Sequence, residues 1–170
     1  MALVAKRIKA KDKVITSQRT LAQILEGLRS QGKTVVLVAG CFDLLHAGHV
    51  RCLEDAKSRG DFLVAAVYDD RNAGKIKGRG FPINELEERM ETLAGLASVD
   101  YVTPCEDADA SLLIERLAPT HFAKGSDQTE ASVAERQALK ATQTRVLVCG
   151  DKKTRSATKI VQKIRKRKFE

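Results

Sequence analysis

Residues 34–50 read TVVLVAGCFDLLHAGHV, and the first half of that stretch decides the fold. TVVLVA (34–39) is short and continuously apolar, which predicts a strand buried on both faces. Gly40 breaks the run. From Ala47 the apolar spacing turns helical, with Val50, Leu53 and Ala56 inward and Gly60 as the stop. A doubly buried strand that feeds a helix belongs in a parallel sheet covered by helices.

The same alternation runs along the chain. Ser17 to Gln31 reads as a helix capped by Ser17, with Leu21, Ile24, Leu25 and Leu28 on one face and Gly32 at its end. DFLVAAVY (61–68) is a second strand. Asn84, with Glu87 three residues on, predicts a capping box for a helix whose inward face is Leu86, Met90, Leu93 and Leu96. VDYVT (99–103), THFAK (120–124) and RVLVC (145–149) are three more strands. Helices are expected at about 109–117, 130–141 and 156–166, the first ended by Pro119. The fold class is therefore α/β: a Rossmann-like parallel five-stranded sheet with helices on both faces. The one long irregular stretch is DDRNAGKIKGRGFPI (69–83), rich in Gly and Lys.

Ligands of such sheets bind outside the carboxyl ends of the strands. GCFDLLHAGH follows the first strand, KIKGRG the second, KGSD (124–127) the fourth and GDKKTRSAT (150–158) the fifth. Four polar segments thus converge on one edge. Two of the three histidines, His46 and His49, are three residues apart and share a helix face. Gly48 between them removes a side chain, and open amides with a positive dipole mark a helix start. Imidazoles, amides and a glycine make a cradle for phosphate. The competing readings are a pair of capping or core histidines, or zinc ligation, which lacks a third ligand at suitable spacing. Lys75 and Lys77 can close over phosphates or be ordinary surface lysines. Arg89 can reach phosphates or sit on the helix surface beside Glu85. Ser156 and Thr158 open the last helix, where hydroxyls serve as caps and as phosphate ligands. Asp127 can accept from a ribose or base, or cap a turn. No GxSxG, Walker A or GxGxxG pattern occurs, which leaves positioning and electrostatics as the catalytic means.

The charge of the chain is concentrated at its ends. Residues 152–170 hold nine Lys or Arg against one acid, residues 1–13 hold five against one, and the body between is mildly acidic. A nucleic-acid coat would carry its basic stripe across the folded body, so a nucleic-acid-binding module is the minor alternative. The expected divisions are a basic N-terminal tail (1–12), a catalytic domain (13–164) and a basic C-terminal tail (165–170), with the last helix docked on the sheet as far as Ile164. Cys41, Cys52, Cys105 and Cys149 form no CxxC pair and read as reduced thiols. No apolar run spans a membrane and no signal-peptide core opens the chain, so a cytoplasmic location is expected.

GCFDLLHAGH resembles the HxGH signature of the cytidylyltransferase-like nucleotidyltransferases. KGRGFPINELEERMETLAGLASVDYV, KGSD and the helix before the first strand extend the resemblance from about Lys13 to Ile164. Over that length the chain resembles the adenylyltransferase domains of bacterial ADP-heptose synthases. The resemblance implies transfer of a nucleoside monophosphate from an NTP, ATP before CTP, to a sugar or polyol phosphate, with Mg²⁺ accompanying the nucleotide and pyrophosphate released. It implies His46, His49, Lys77 and Arg89 as catalytic residues. Nucleotide contacts would come from Gly40, Cys41, Phe42, Gly48, Lys124, Gly125, Asp127, Ser156 and Thr158, and contacts to the second substrate from Asp43 and Lys75. Within the class, CTP-dependent glycerol phosphate or alcohol phosphate cytidylyltransferases and FAD-synthetase-like enzymes share these motifs. The chain departs from the heptose pattern with VAGCFD for TNGCFD, VYDD for VNSD, KGSDQ for KGGDY and KKTRSATK for an EGYSTS-like segment. The phosphate-facing residues are kept and the substrate-facing ones differ. Relatives often form homodimers, and the helix at 17–31 could serve such an interface.

Overall fold

A computed structural model describes residues 9–126, 133–150 and 156–167. The central strand β1 (Val35–Gly40) pairs on one side with β2 (Phe62–Tyr68) and on the other with β4 (His121–Gly125). Strand β3 (Tyr101–Cys105) lies beyond β2, and β5 (Arg145–Cys149) beyond β4. All neighbours are parallel, in the order β3-β2-β1-β4-β5. The expected Rossmann-like five-stranded sheet is thus present, and strand order reverses between β1 and β4.

The helices are α1 (Ala10–Lys13), α2 (Gln18–Ser30), α3 (Ala47–Ser58), α4 (Asp70–Lys77), α5 (Leu86–Ala94), α6 (Ser111–Leu117), α7 (Val133–Ala141) and α8 (Ala157–Lys166). Period-two alternation along each strand divides the core between two faces. Val36, Val38, Leu63, Ala65 and Val67 pack with Leu53 and Ala56 of α3 and with Met90 and Leu93 of α5. Val35, Leu37, Val64 and Ala66 pack with Leu21 and Leu25 of α2, Leu113, Ile114 and Leu117 of α6, and Ala138 and Leu139 of α7. The strand run VVLVA (35–39) has no polar member because both faces are covered; each buried Leu or Val contributes about 1.5–3 kcal/mol. As expected, Ser17 caps α2 by accepting from Thr20 N, and Gly32, at φ +75°, follows its end.

Several expectations need correction. The stretch 69–83 is not wholly irregular: it holds α4, capped by Asp69, whose carboxylate accepts from Asn72 N at 2.7 Å. The buried residues of α4 are Asn72 and Ala73, so it has no apolar stripe to read. Asn72 is held by side-chain bonds to the carbonyls of Glu106 and Asp107. Asn84 does not cap α5. Glu85 occupies that position without a side-chain cap bond, and Asn84 donates to Asp43 O. Strand β3 begins and ends two residues later than predicted and includes Pro104, which an edge strand tolerates. Within the expected N-terminal tail, Ala10 packs against the core. Next to it Lys13 Nζ donates to Leu96 O and Val99 O, at 3.0 and 2.7 Å. The last helix buries Ala157, but Ile164 is half exposed, so docking stops short of the expected point. The predicted helix at 130–141 is described from Val133 onward.

Candidate phosphate-binding site

The site is built at the carboxyl end of β1. Gly40 closes the strand, and a Cβ there would lie 3.0 Å from the Phe42 ring. Phe42 takes φ +44°, a left-handed turn that tucks its ring inward. That ring meets His49 edge-on at 5.6 Å between centroids. His46 caps α3: its Nδ1 accepts from Gly48 N at 3.1 Å, and its ring stacks on His49 at 3.9 Å and 20°. A Cβ on Gly48 would press to 3.0 Å from the His46 ring, so the glycine of HxGH is what lets His46 fold back over the helix end. Because Nδ1 accepts, a neutral His46 carries its proton on Nε2, away from the backbone. The expected open amides are partly spent, since Gly48 N bonds His46 Nδ1 and His49 N bonds His46 O.

Asp43 and Arg89 are both engaged by other parts of the chain. Asp43 is buried, and its carboxylate accepts from Ile83 N and Asn84 N, all at 2.9 Å. It pins the connection between α4 and α5, so a substrate would have to displace two amides to reach it. Arg89 lies neither on the helix surface beside Glu85 nor at an open phosphate position: its side chain is 0% exposed. Its Nε donates to Asn84 O at 3.0 Å, Nη1 to Cys41 O at 2.5 Å and Nη2 to Asp70 Oδ1 at 2.6 Å.

Lys75 and Lys77 stand exposed in the last turn of α4. Lys77 is near enough to β1 to pull the Cys41 thiol pKa down, as does Arg89, but burial outweighs both and leaves it raised. Cys41 is thus a buried neutral thiol, unfit as a nucleophile. Lys124 is buried and ion-paired with Glu135 at 2.7 Å, and Gly125 ends β4 beside it. Asp127 lies outside the described residues. Ser156 caps α8, accepting from Lys159 N at 3.2 Å, and Thr158 follows half-buried.

The sequence reading missed three contributors. Asp70 holds Arg89; Asn84 braces Asp43; and Asp55 of α3 accepts from Gly150 N at 2.9 Å, tying the turn after β5 to the histidine helix. At Gly150, φ is +82° and an added Cβ would sit 3.0 Å from Cys52 Cβ, so α3 and that turn meet in close contact. Together the histidine pair and the α4 lysines suit an anionic ligand lying across the switch point.

Residues 37–169 match the family model described as cytidylyltransferase-like. The bifunctional proteins HldE of Shewanella sp. (strain W3-18-1) and Shewanella baltica (strain OS155 / ATCC BAA-1091) are each 41% identical over 150 residues. Those residues are 88% of this chain but 32% of each relative, so the chain spans about a third of their length. Among solved structures, the lipopolysaccharide core biosynthesis protein from Thermoplasma volcanium GSS1 superposes with a TM-score of 0.62 at 24% identity, covering 72% of this chain and 100% of that one. Pantoate-beta-alanine ligase from Francisella tularensis, in complex with beta-gamma ATP and beta-alanine, gives 0.60 at 16% identity, covering 83% and 67%. At these identities the two structures speak for the fold alone. No described helix is long and apolar enough to cross a membrane.

Proposed function

The chain belongs to the cytidylyltransferase-like family of nucleotidyl-transferring enzymes, and from that premise we propose that it joins the nucleoside monophosphate of an NTP to a sugar phosphate. ATP and heptose 1-phosphate are the leading pair, giving ADP-heptose and pyrophosphate. The observation that carries the transfer reading is the stacked His46–His49 pair at the start of α3, on the switch point of the sheet. In the proposed reaction a phosphate oxygen of the sugar phosphate attacks the α-phosphorus, and the bond to the bridging oxygen of the β-phosphate breaks. Negative charge grows on the non-bridging α-oxygens and on the leaving pyrophosphate. His46 and His49 donate to these oxygens, and Lys77 compensates the departing charge. No protein nucleophile takes part.

Mg²⁺ is proposed to travel on the triphosphate. Among the described residues no cluster of three His, Cys, Asp or Glu could hold a metal, and the nearest carboxylates, Asp43 and Asp70, are bonded to amides and to Arg89. No protein cage is therefore assigned to the ion, as befits a cation usually held by substrate phosphates and water. The heptose preference rests on the resemblance that includes the helix at 17–31. The substitutions at Ala39 and in VYDD (67–70) favour keeping CTP and polyol phosphates in the test. That test is pyrophosphate release from ATP and CTP, each with heptose 1-phosphate, other sugar 1-phosphates and glycerol 3-phosphate. Turnover with ATP and the heptose phosphate is expected to exceed every other pair. Faster turnover with CTP and a polyol phosphate would replace the specific reading, and no turnover with any pair would remove the general one.

A further inference from the structure

We infer that Asp70 is a positioning residue: through its ion pair with Arg89 it clamps α4 to the end of β1 and so presents Lys77 to the ligand. Arg89 bonds three segments at once, namely the loop after β1 at Cys41 O, the connection to α5 at Asn84 O and the first residue of α4 at Asp70. Its guanidinium is fully buried while the Asp70 carboxylate is 48% exposed, so the partner that neutralises the buried cation sits at the rim of the site. Two of the three acceptors are backbone carbonyls and only Asp70 brings a charge. A buried cation that loses its one anionic partner is strongly disfavoured, so the pair fixes where α4 begins.

Lys77 is the last residue of the same helix, about 10 Å further along at the usual rise. Eight residues of α-helix transmit that placement. Gly78, at φ +91°, ends α4 immediately after the lysine. A Cβ at Gly74 would come 3.2 Å from Phe81 O, so α4 and the returning chain lie in close contact. That returning chain is held in turn by Asp43 at Ile83 N and Asn84 N. Lys77 therefore hangs from an element fixed at its start by the ion pair and flanked by a pinned return. The long side chain supplies reach, and the clamp supplies direction.

This inference rests on the nucleotidyl-transfer reading, and its test separates the two. In wild type, Lys77→Ala, Asp70→Ala and the double variant, kcat and KM are measured for the NTP and for the second substrate. Asp70→Ala is expected to lower kcat/KM for the NTP about 100-fold, as misplacement by about an ångström does. On the Lys77→Ala background the same change should cost less than about twofold, because the lysine it positions is already gone. Asp70→Asn, which keeps an acceptor for Nη2, should recover part of the loss. Independent, multiplicative losses in the double variant would overturn the inference. Hydrogen exchange on residues 70–84 needs no turnover and decides the clamp even if every substrate pair fails. There, Asp70→Ala should speed exchange about tenfold while 111–125 stay as in wild type, and unchanged exchange would overturn it.

Discussion

The two edges of the one sheet use polar residues in opposite ways. At the amino edge polar side chains close the strand starts. Thr34 N donates to Asp61 at 2.8 Å, Val35 N to Thr120 Oγ1 at 2.6 Å and Leu63 N to Asp100 Oδ2 at 2.7 Å. Lys57 reaches from the end of α3 to bond Asp100 at 2.7 Å and also the Asp61 carbonyl. At the carboxyl edge the pattern splits into two tiers. Asp43 and Arg89 lie underneath and are spent on backbone, while His46, His49, Lys75 and Lys77 lie above them. The lower tier behaves like the amino edge, and the upper tier faces the cleft. Functional charge here stands on structural charge, and position on the sheet edge alone does not distinguish the two.

That division predicts that upper-tier variants change rate without changing stability. His49→Ala should lower kcat by about 10²–10⁴, the range expected for losing a donor to developing charge. His49 is half-buried at a helix start and its loss removes the stack on His46 and the edge contact with Phe42, so Tm should stay within a few degrees of wild type. Steady-state kinetics with thermal melts checks both halves. A full-rate His49→Ala enzyme would dissolve the contrast between edges.

The amino edge should show the reverse. Asp100→Ala strips the acceptor from Leu63 N and leaves Lys57 without its carboxylate. Leaving a partly buried amide unsatisfied costs about 1–3 kcal/mol, read as a lower urea midpoint at unchanged slope. The kcat should equal that of wild type, since Asp100 stands at the opposite end of β2 from the histidines. A kcat lowered as much as by His49→Ala would show that the two edges are not separable.

How much of this could be read beforehand follows the same division. The strands were legible because VVLVA (35–39) and FLVAAV (62–67) have no polar position to hide, and doubly buried strands need none. The histidines were legible because their spacing and their glycine are one local motif. Helix α4 was not, because a buried asparagine satisfied by distant carbonyls does the work an apolar stripe would do. The burial of Arg89 was not legible because a buried arginine and a surface one are the same letter. One signal was present: Leu86, Arg89, Met90 and Leu93 fall at i, i+3, i+4 and i+7, which puts the arginine inside the core-facing stripe. Asp70, its partner nineteen residues earlier, has no such local sign.

The smallest expected effect is a pH dependence confined to the amino edge. His121 opens β4, directly opposite Arg145 of β5, and its Nδ1 has no hydrogen-bond partner among the described residues. Burial first, and the Arg145 charge second, hold its pKa below the ordinary 6.5. The folded state therefore disfavours the imidazolium that the unfolded chain accepts freely. Between the folded value and 6.5 the unfolded state binds more protons, so stability rises with pH across that window and is lost as pH falls through it. Asp61, whose pKa is lowered below 3.8 chiefly by the Thr34 amide, keeps its charge over the same window and does not confuse the measurement. His121→Gln should flatten the fall in Tm between pH 7.5 and 5.5 and leave Tm at pH 7.5 nearly unchanged. The ratio of His49→Ala to wild-type turnover should be the same with either residue at position 121. A pH effect on stability that survives His121→Gln undiminished would show that His121 is not its source.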